Sequence, residues 1–348
     1  MRVLIIKASA LGDIIHALPI LDYLQQVKPG IEVDWVVEEP FREILEGHPQ
    51  LSQLHLVRTK AWRKAPLAAR TLQEIARLRT ALQERQYDLV FDIQGNVKSG
   101  LIAWLTGAAD RIGFSREIVR ETPNLFFTTR QIPLRRQDYH VTDKYLRLVS
   151  VPFGRDFSDM TLTTTIATGP EDDAAADALM LTLGDGLAFL FHCGTSWKTK
   201  LWSEEGWIEL GGEILATFPD ASILLTWGSE EERQTAMAVA QGIGAGARVL
   251  DRYPLKGLAA VMKRVDLVVA PDTGPLHIAA AVGTPTVSFF RATDGKLTGP
   301  RGAQHVVIQS PLSCARCSQK ECSRDRECRE SIRVSAMLQA IRKSMGLA

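Results

Sequence analysis

Short β-rich runs alternate with helical patterns almost from end to end of this chain, and the alternation runs twice. Val3–Lys7, Glu32–Val37, Gln53–Val57 and Leu89–Ile93 read as strands, separated by helical patterns at Ile14–Val27, Leu67–Arg85 and Lys98–Thr106. Between Val151 and Pro170 the pattern dissolves into Pro, Gly, Asp and Thr, the composition of a linker or a last strand. It restarts at Leu187–His192 and continues through strands at Ser222–Trp227, Leu267–Ala270 and Thr286–Phe290, with helices at Glu204–Thr217 and from Glu230. Serial βα units imply a parallel sheet covered by helices on both faces. A chain of 348 residues is also too long for one ordinary core. The expected architecture is α/β with two such sheets in tandem, residues 1–165 and 166–328. Residues 329–348 hold an amphipathic helix, Ile332–Met345, expected to cross back onto the first domain.

Composition enters chiefly through what it excludes. Hydrophobic residues make up 45% of the chain and mean hydropathy is -0.02, values of a soluble globular protein. A net charge of +1 carries no global nucleic-acid signal. Charge is nevertheless uneven. Arg58, Lys60, Arg63, Lys64, Arg70, Arg77, Arg79 and Arg85 face only Glu74 and Glu84 over one stretch, which suits an anionic partner or, alternatively, a solvated helix face. Lys7 interrupts the short apolar run at the start, so no secretory leader is expected, and no run is long enough to span a bilayer. The expected location is the cytoplasm, peripheral to a membrane, with the five cysteines largely reduced.

Two strand-to-helix turns concentrate the polar chemistry. Asp272-Thr273-Gly274-Pro275, with His277 close behind, separates the apolar run Val265–Ala270 from the small-residue stretch Ile278–Ala281. There the backbone N–H groups of Thr273 and Gly274 stand at a helix N-terminus, where unpaired donors and the helix dipole favour an anion. Asp272 and His277 add polar side chains at the carboxyl end of a strand, the usual ligand position in an open α/β sheet. A diphosphate fits this turn. Near the start, Ser9-Ala10-Leu11-Gly12-Asp13 repeats the design: Gly12 lets the backbone pass close to a ligand and Asp13 stands at the mouth. The plainer reading of Asp13 is a cap on a helix beginning at Ile14.

Other segments add to the second site. His192-Cys193-Gly194-Thr195-Ser196-Trp197 follows a strand and leads to Lys200, so Thr195 and the turn offer donors and Lys200 a point charge for phosphate. Glu230, after Trp227-Gly228-Ser229, is placed to accept from ribose hydroxyls or simply to favour a helix N-terminus. Gly242-Ile243-Gly244-Ala245-Gly246 lacks the spacing and position of a dinucleotide fingerprint and reads as a helix-to-strand loop. Cys314, Cys317, Cys322 and Cys328 present four thiols in one basic segment, either a structural zinc or cluster site, or reduced thiols or a stress-formed disulfide. Their spacings match no common zinc framework, and no catalytic metal is expected.

Taken in order, Lys7-Ala8-Ser9-Ala10-Leu11-Gly12-Asp13, Asp34-Trp35-Val36-Val37-Glu38-Glu39, Trp62-Arg63-Lys64 and Asp92-Ile93-Gln94-Gly95-Asn96 form one pattern with Lys200-Leu201-Trp202, Trp227-Gly228 and the Asp272 turn. That pattern resembles glycosyltransferase family 9, the ADP-heptose:lipopolysaccharide heptosyltransferases, over nearly the whole chain. The resemblance implies a GT-B fold, two Rossmann-like domains facing across a cleft. It implies inverting transfer of L-glycero-D-manno-heptose from ADP-heptose to the Kdo inner core of lipid A-linked lipopolysaccharide, with no cofactor required. Asp13 takes the role of general base. Donor binding falls to Thr195, Lys200, Glu230, Asp272, Thr273, Gly274 and His277, with Tyr253 where the family carries an apolar adenine contact. Arg63, Lys64, Lys98, Arg120 and His140 match positions that meet the anionic acceptor. The basic run before Trp62 is thinner than the pattern, and the four-cysteine segment matches only part of the family.

The chemistry of an inverting transfer agrees, since it needs a base on one face of the sugar and charge stabilisation for the leaving diphosphate on the other. Alternatives are transfer to a later core sugar and a non-catalytic nucleotide-sugar binding protein. A dehydrogenase would need a glycine fingerprint after the first strand, which Ser9-Ala10-Leu11-Gly12 does not supply.

Overall fold

Val3, Leu4, Ile5 and Ile6 are all fully buried, as only a strand covered on both faces can be. They belong to β1 (Arg2–Ile6), the centre of a six-stranded sheet with β2 (Glu32–Glu38), β3 (Gln53–Val57), β4 (Leu89–Asp92), β5 (Arg111–Phe114) and β6 (Arg130–Ile132). The strand order is β3-β2-β1-β4-β5-β6, and every pair is parallel. The computed structural model describes residues 1–346, and the chain divides into two units between Ala167 and Thr168.

The second unit carries β7 (Ala188–His192), β8 (Ser222–Thr226), β9 (Ala247–Val249), β10 (Leu267–Pro271), β11 (Thr286–Phe290) and β12 (His305–Gln309). Its order is β12-β11-β10-β7-β8-β9, again all parallel, so each unit repeats the doubly wound arrangement of a Rossmann sheet. The order reverses between β1 and β4 in the first unit and between β7 and β10 in the second. Loops leaving those paired strands diverge to opposite faces and open a crevice at the strands' carboxyl ends.

Local sequence explains the departures from expectation. The single helix expected over Ile14–Val27 is two, Leu11–Ala17 and Pro19–Val27, because Pro19 has no N–H to continue the first and suits the opening turn of the second. The last helix, Val334–Ser344, belongs to the second unit. It packs on β11, β12 and the helix Glu204–Thr217, burying Met337, Ala340 and Ile341 in the second core. That core already holds Phe191, Trp202, Trp207 and Phe289, with ring centroids 5.0–5.9 Å apart, and it claims the helix's apolar stripe. No helix among the described residues is long and apolar enough to cross a membrane.

Candidate functional site

In the second unit the two loops at the β7/β10 switch point meet through side chains. Lys200 Nζ lies 2.7 Å from Asp272 Oδ2 and 3.3 Å from the Asp272 carbonyl, while His277 Nε2 lies 3.4 Å from the other carboxylate oxygen, Oδ1. All three side chains are largely buried. Burial alone would raise the Asp272 pKa, but His277 and Lys200 outweigh it and hold the carboxyl well below the usual range. Asp272 is thus a fixed anion that aims one ammonium and one imidazole beside the N-terminus of the helix Gly274–Ala281. Thr273 is the extended residue before that helix and Pro275 is in its first turn. Lys200 also sits over the Trp197 ring, 4.7 Å from its centroid.

The neighbouring β8 loop places two acids differently. Glu230 is well exposed and pairs with Arg233 at 3.1 Å. It is Glu232 that turns back to the strand end, accepting from Gly228 N–H at 2.7 Å and lying against Gly194 of the β7 loop. A Cβ on Gly194 would come within 2.2 Å of the Glu232 carboxyl carbon, so glycine is the residue that admits it. Ser229 caps the helix Glu230–Ile243, which sets the turn from which Glu232 projects. Trp227 Nε1 donates to the Leu250 carbonyl at 2.8 Å, fixing the loop after β9 that carries half-buried Tyr253 against Gly257. Thr195 lies half-buried in the β7 loop, between Gly194 and Trp197. Cys193, buried beside it, has its thiol pushed well up by burial and is a packing residue.

In the first unit Asp13 is not the cap residue of its helix. The helix starts at Leu11, and the Asp13 carboxylate accepts from the Ala10 N–H at 3.3 Å from within the first turn. Two groups that sequence reasoning had left without a role converge on it. Lys7, 3% exposed, places Nζ 3.5 Å from Asp13 Oδ2, and the Tyr145 hydroxyl donates to Oδ1 at 3.4 Å. Lys7 also sits over the Tyr145 ring at 5.0 Å. Burial lowers the Lys7 pKa against the pull of Asp13, and burial followed by the Asp13 charge raises that of Tyr145. The Lys7 interruption of the apolar run was the available signal, because a lysine at a buried strand end needs a partner. The loops of β1 and β4 are tied together by Gln94, whose Oε1 accepts from the Ala8 and Ser9 N–H groups, each at 3.1 Å. Buried Asp92 holds that turn by accepting from Gln94 N–H, Gly95 N–H, Ser99 and Asn124.

The expected acceptor residues divide into two kinds. Arg63, Lys64, Lys98 and Arg120 are exposed, and Lys98 Nζ donates to Thr59 at 3.2 Å. The Arg120 charge reaches Lys7 and Tyr145, placing it near Asp13. His140 is buried and acts locally: it caps the helix Val141–Ser150 by accepting from Thr142 N–H, and its ring meets His16 edge-on at 5.3 Å. Part of the basic stretch is internally neutralised. Glu74 takes Arg58 at 2.6 Å and Arg70 at 2.9 Å, and accepts from Trp62 Nε1 at 2.7 Å. Arg85 is bidentate on Asp34, at the amino end of β2 and away from the site.

The four cysteines line one cavity of about 130 Å³ with Thr199 and Arg291, though no group of three or more His, Cys, Asp or Glu among the described residues is arranged to hold a metal ion. Their segment is fastened to the Lys200 loop. Thr199 donates to the Gln319 carbonyl at 2.6 Å, and Lys320 lies over the same Trp197 ring as Lys200, 5.3 Å from its centroid. Arg291, its side chain fully buried, donates to the Leu201 carbonyl and to Asp325.

The model of glycosyltransferase family 9 (heptosyltransferase) matches residues 75–327. The chain belongs to glycosyltransferase family 9. Among family 9 members, lipopolysaccharide heptosyltransferase 1 of Pseudomonas aeruginosa is 37% identical over 93% of this chain and 88% of its own length. That of Escherichia coli K12 is 33% identical over 89% of this chain and 94% of its own. Among solved structures, E. coli heptosyltransferase WaaC with ADP aligns over 99% of this chain and 100% of its own, at 31% identity and a TM-score of 0.80. The E. coli heptosyltransferase II structure shares the fold, with a TM-score of 0.78 at 16% identity. The two Rossmann-like units are those of the GT-B fold.

Proposed function

We propose that this chain is an inverting heptosyltransferase that moves L-glycero-D-manno-heptose from ADP-heptose to the Kdo inner core of lipid A-linked lipopolysaccharide. The observation that carries the reading is the Lys200–Asp272–His277 constellation at the β7/β10 switch point, in a chain so similar along its length to an enzyme solved with ADP. In this reading Lys200 and the Thr273–Gly274 turn receive the diphosphate, and His277 is held by Asp272 to donate to it. Glu232, rather than Glu230, accepts from ribose hydroxyls, Thr195 lies at the phosphates, and Tyr253 stacks on adenine. Neutralising the leaving diphosphate with an ammonium and a helix N-terminus stabilises charge as it develops, without a metal in the step.

Asp13 removes the proton from the acceptor hydroxyl, and Lys7 and Tyr145 hold its carboxylate in place. Arg63, Lys64, Lys98 and Arg120 meet acceptor phosphates and carboxylates, with His140 keeping the Val141–Ser150 helix start in register. A lipid-linked acceptor brings the protein to the cytoplasmic face of a membrane. Relatives named heptosyltransferase 1 favour the first heptose over a later one, since an E. coli heptosyltransferase 3 is only 23% identical. The test is turnover of ADP-heptose with two soluble, deacylated acceptors, one ending in Kdo and one already carrying heptose. Product on the first alone is expected. Product on the second alone assigns the chain to a later step, and binding of donor without product on either makes it a binding protein.

A further inference from the structure

The helix Val97–Leu105 is apolar on the side that faces its own unit and apolar on the side that does not. Ile102 and Ala103 are buried, whereas Leu101 is 42% and Trp104 57% exposed, one turn apart on the outer face. An ordinary surface helix carries polar residues there. The turn Thr122–Phe126 packs directly on this helix at Gly100, where a Cβ would come within 2.7 Å of Phe127 and 2.9 Å of Asn124. The turn presents Phe126 with 87% of its surface exposed. Two aromatic side chains and a leucine therefore stand out on one small region of the first unit.

Charge surrounds them. Lys98 lies one turn before Leu101 on the same helix, and its ammonium reaches Thr59, the first residue of the short helix that ends in exposed Arg63 and Lys64. At the other end, Gln83 donates to the Leu105 carbonyl at 3.2 Å, which joins the helix Ala69–Glu84 and its exposed Arg77 and Arg79. Glu121 is the acid at the helix start, accepting from Val97 N–H at 2.8 Å. Aromatic rings that insert at headgroup depth, set among cations that meet anionic headgroups, are the two elements by which a protein lies on a bilayer.

We infer that the outer face of Val97–Leu105, with Phe126, is a docking surface for an anionic lipid bilayer. The inference deepens the proposed function, since it places the membrane next to Lys98, Arg63 and Lys64, where a lipid-linked acceptor would present its sugars. The aromatic residues hold the bilayer while the basic ones read the headgroup charge.

The experiment compares wild type with Trp104→Ser/Phe126→Ser by co-sedimentation with phosphatidylethanolamine–phosphatidylglycerol vesicles and with phosphatidylcholine vesicles. Wild type partitions onto the anionic vesicles and less so at raised salt. The double variant partitions about tenfold less or worse, because each lost aromatic removes buried apolar area. Both side chains are mostly exposed, and an unchanged melting temperature checks that the variant is folded. Equal partitioning of the two proteins, or no wild-type binding to anionic vesicles at low salt, overturns the inference. So does a variant that changes only self-association, read by light scattering without lipid. Turnover of a deacylated acceptor is expected to be the same in both proteins. Its absence from wild type would count against the transferase reading and leave the vesicle result to stand alone.

Discussion

Asp272→Asn keeps the shape of the β10 turn and removes the charge that holds Lys200 and His277. At 2.7 Å the Lys200–Asp272 attraction is roughly 6 kcal/mol at an effective dielectric of about 20. Withdrawing both groups from water cancels several kcal/mol of this, so the pair contributes about 2 kcal/mol net. For a unit of this size that corresponds to a fall of about 4–8 °C in its melting temperature. The pH dependence follows from the sign of the shift. The folded-state pKa of Asp272 lies below its unfolded value, so the stabilisation is fully present above the ordinary carboxylate pKa of about 3.9 and is lost as pH falls through the lower folded value. Melting curves of wild type and variant should differ by the full amount at pH 7 and at pH 5, and converge only below about pH 4. Lys200→Met strands the buried carboxylate instead, and the double variant should recover about 2 kcal/mol relative to the sum of the singles. Additive singles, or a wild-type advantage already gone at pH 5, would refute the argument.

Four further outcomes are expected. Asp13→Asn should lower kcat at least about a hundredfold with near-normal donor and acceptor binding, and Lys7→Met about tenfold through misplacement of the same carboxylate; activity of Asp13→Asn within a few-fold of wild type would falsify the base assignment. Glu232→Gln should weaken ADP about tenfold by titration calorimetry while Glu230→Gln leaves it unchanged, and the opposite ranking returns the ribose contact to Glu230. Neutralising Arg63, Lys64 and Arg120 together should raise acceptor KM and flatten its salt dependence with ADP affinity intact, and an unmoved KM places the acceptor elsewhere. Chelator treatment should leave turnover unchanged, whereas one tightly held metal equivalent lost on Cys314→Ser would overturn the metal-free reading.

Where sequence reasoning succeeded and where it stopped follow from the range of the forces involved. β1, β4, β7 and β10 are central strands buried on both faces, so each reads as an unbroken apolar run. Four strands went unread: β5, β6, β9 and β12. They are short or only partly buried, with Arg111, Arg130 and Arg248 inside three of them, and long-range pairing rather than composition makes them strands. The polar turn at Asp272, with its helix start, was legible because Asp, Thr, Gly and Pro each act locally. Its partner Lys200, 72 residues away in the chain, met it only through the fold. Glu230 and Glu232 both stand in the first turn of the helix after β8, and only the fold shows that Glu232 turns back to the strand end, where the open face of Gly194 receives it. The basic stretch looked uniform because sequence does not show that Arg85 is claimed by Asp34.

Arg291 gives the second unit a property of timing. Its guanidinium has no exposed surface, and its two terminal nitrogens donate to the Leu201 carbonyl and to Asp325. Lifting the Lys200 loop away from the strand ends would break the Leu201 bond and leave a buried guanidinium donor unsatisfied, at a cost of about 1–3 kcal/mol. The loop is therefore held in place by the fold itself. If the loop holds diphosphate as proposed, the ligand meets a cradle whose ordering entropy was lost during folding, and capture is expected as a single encounter without a slow loop-ordering phase.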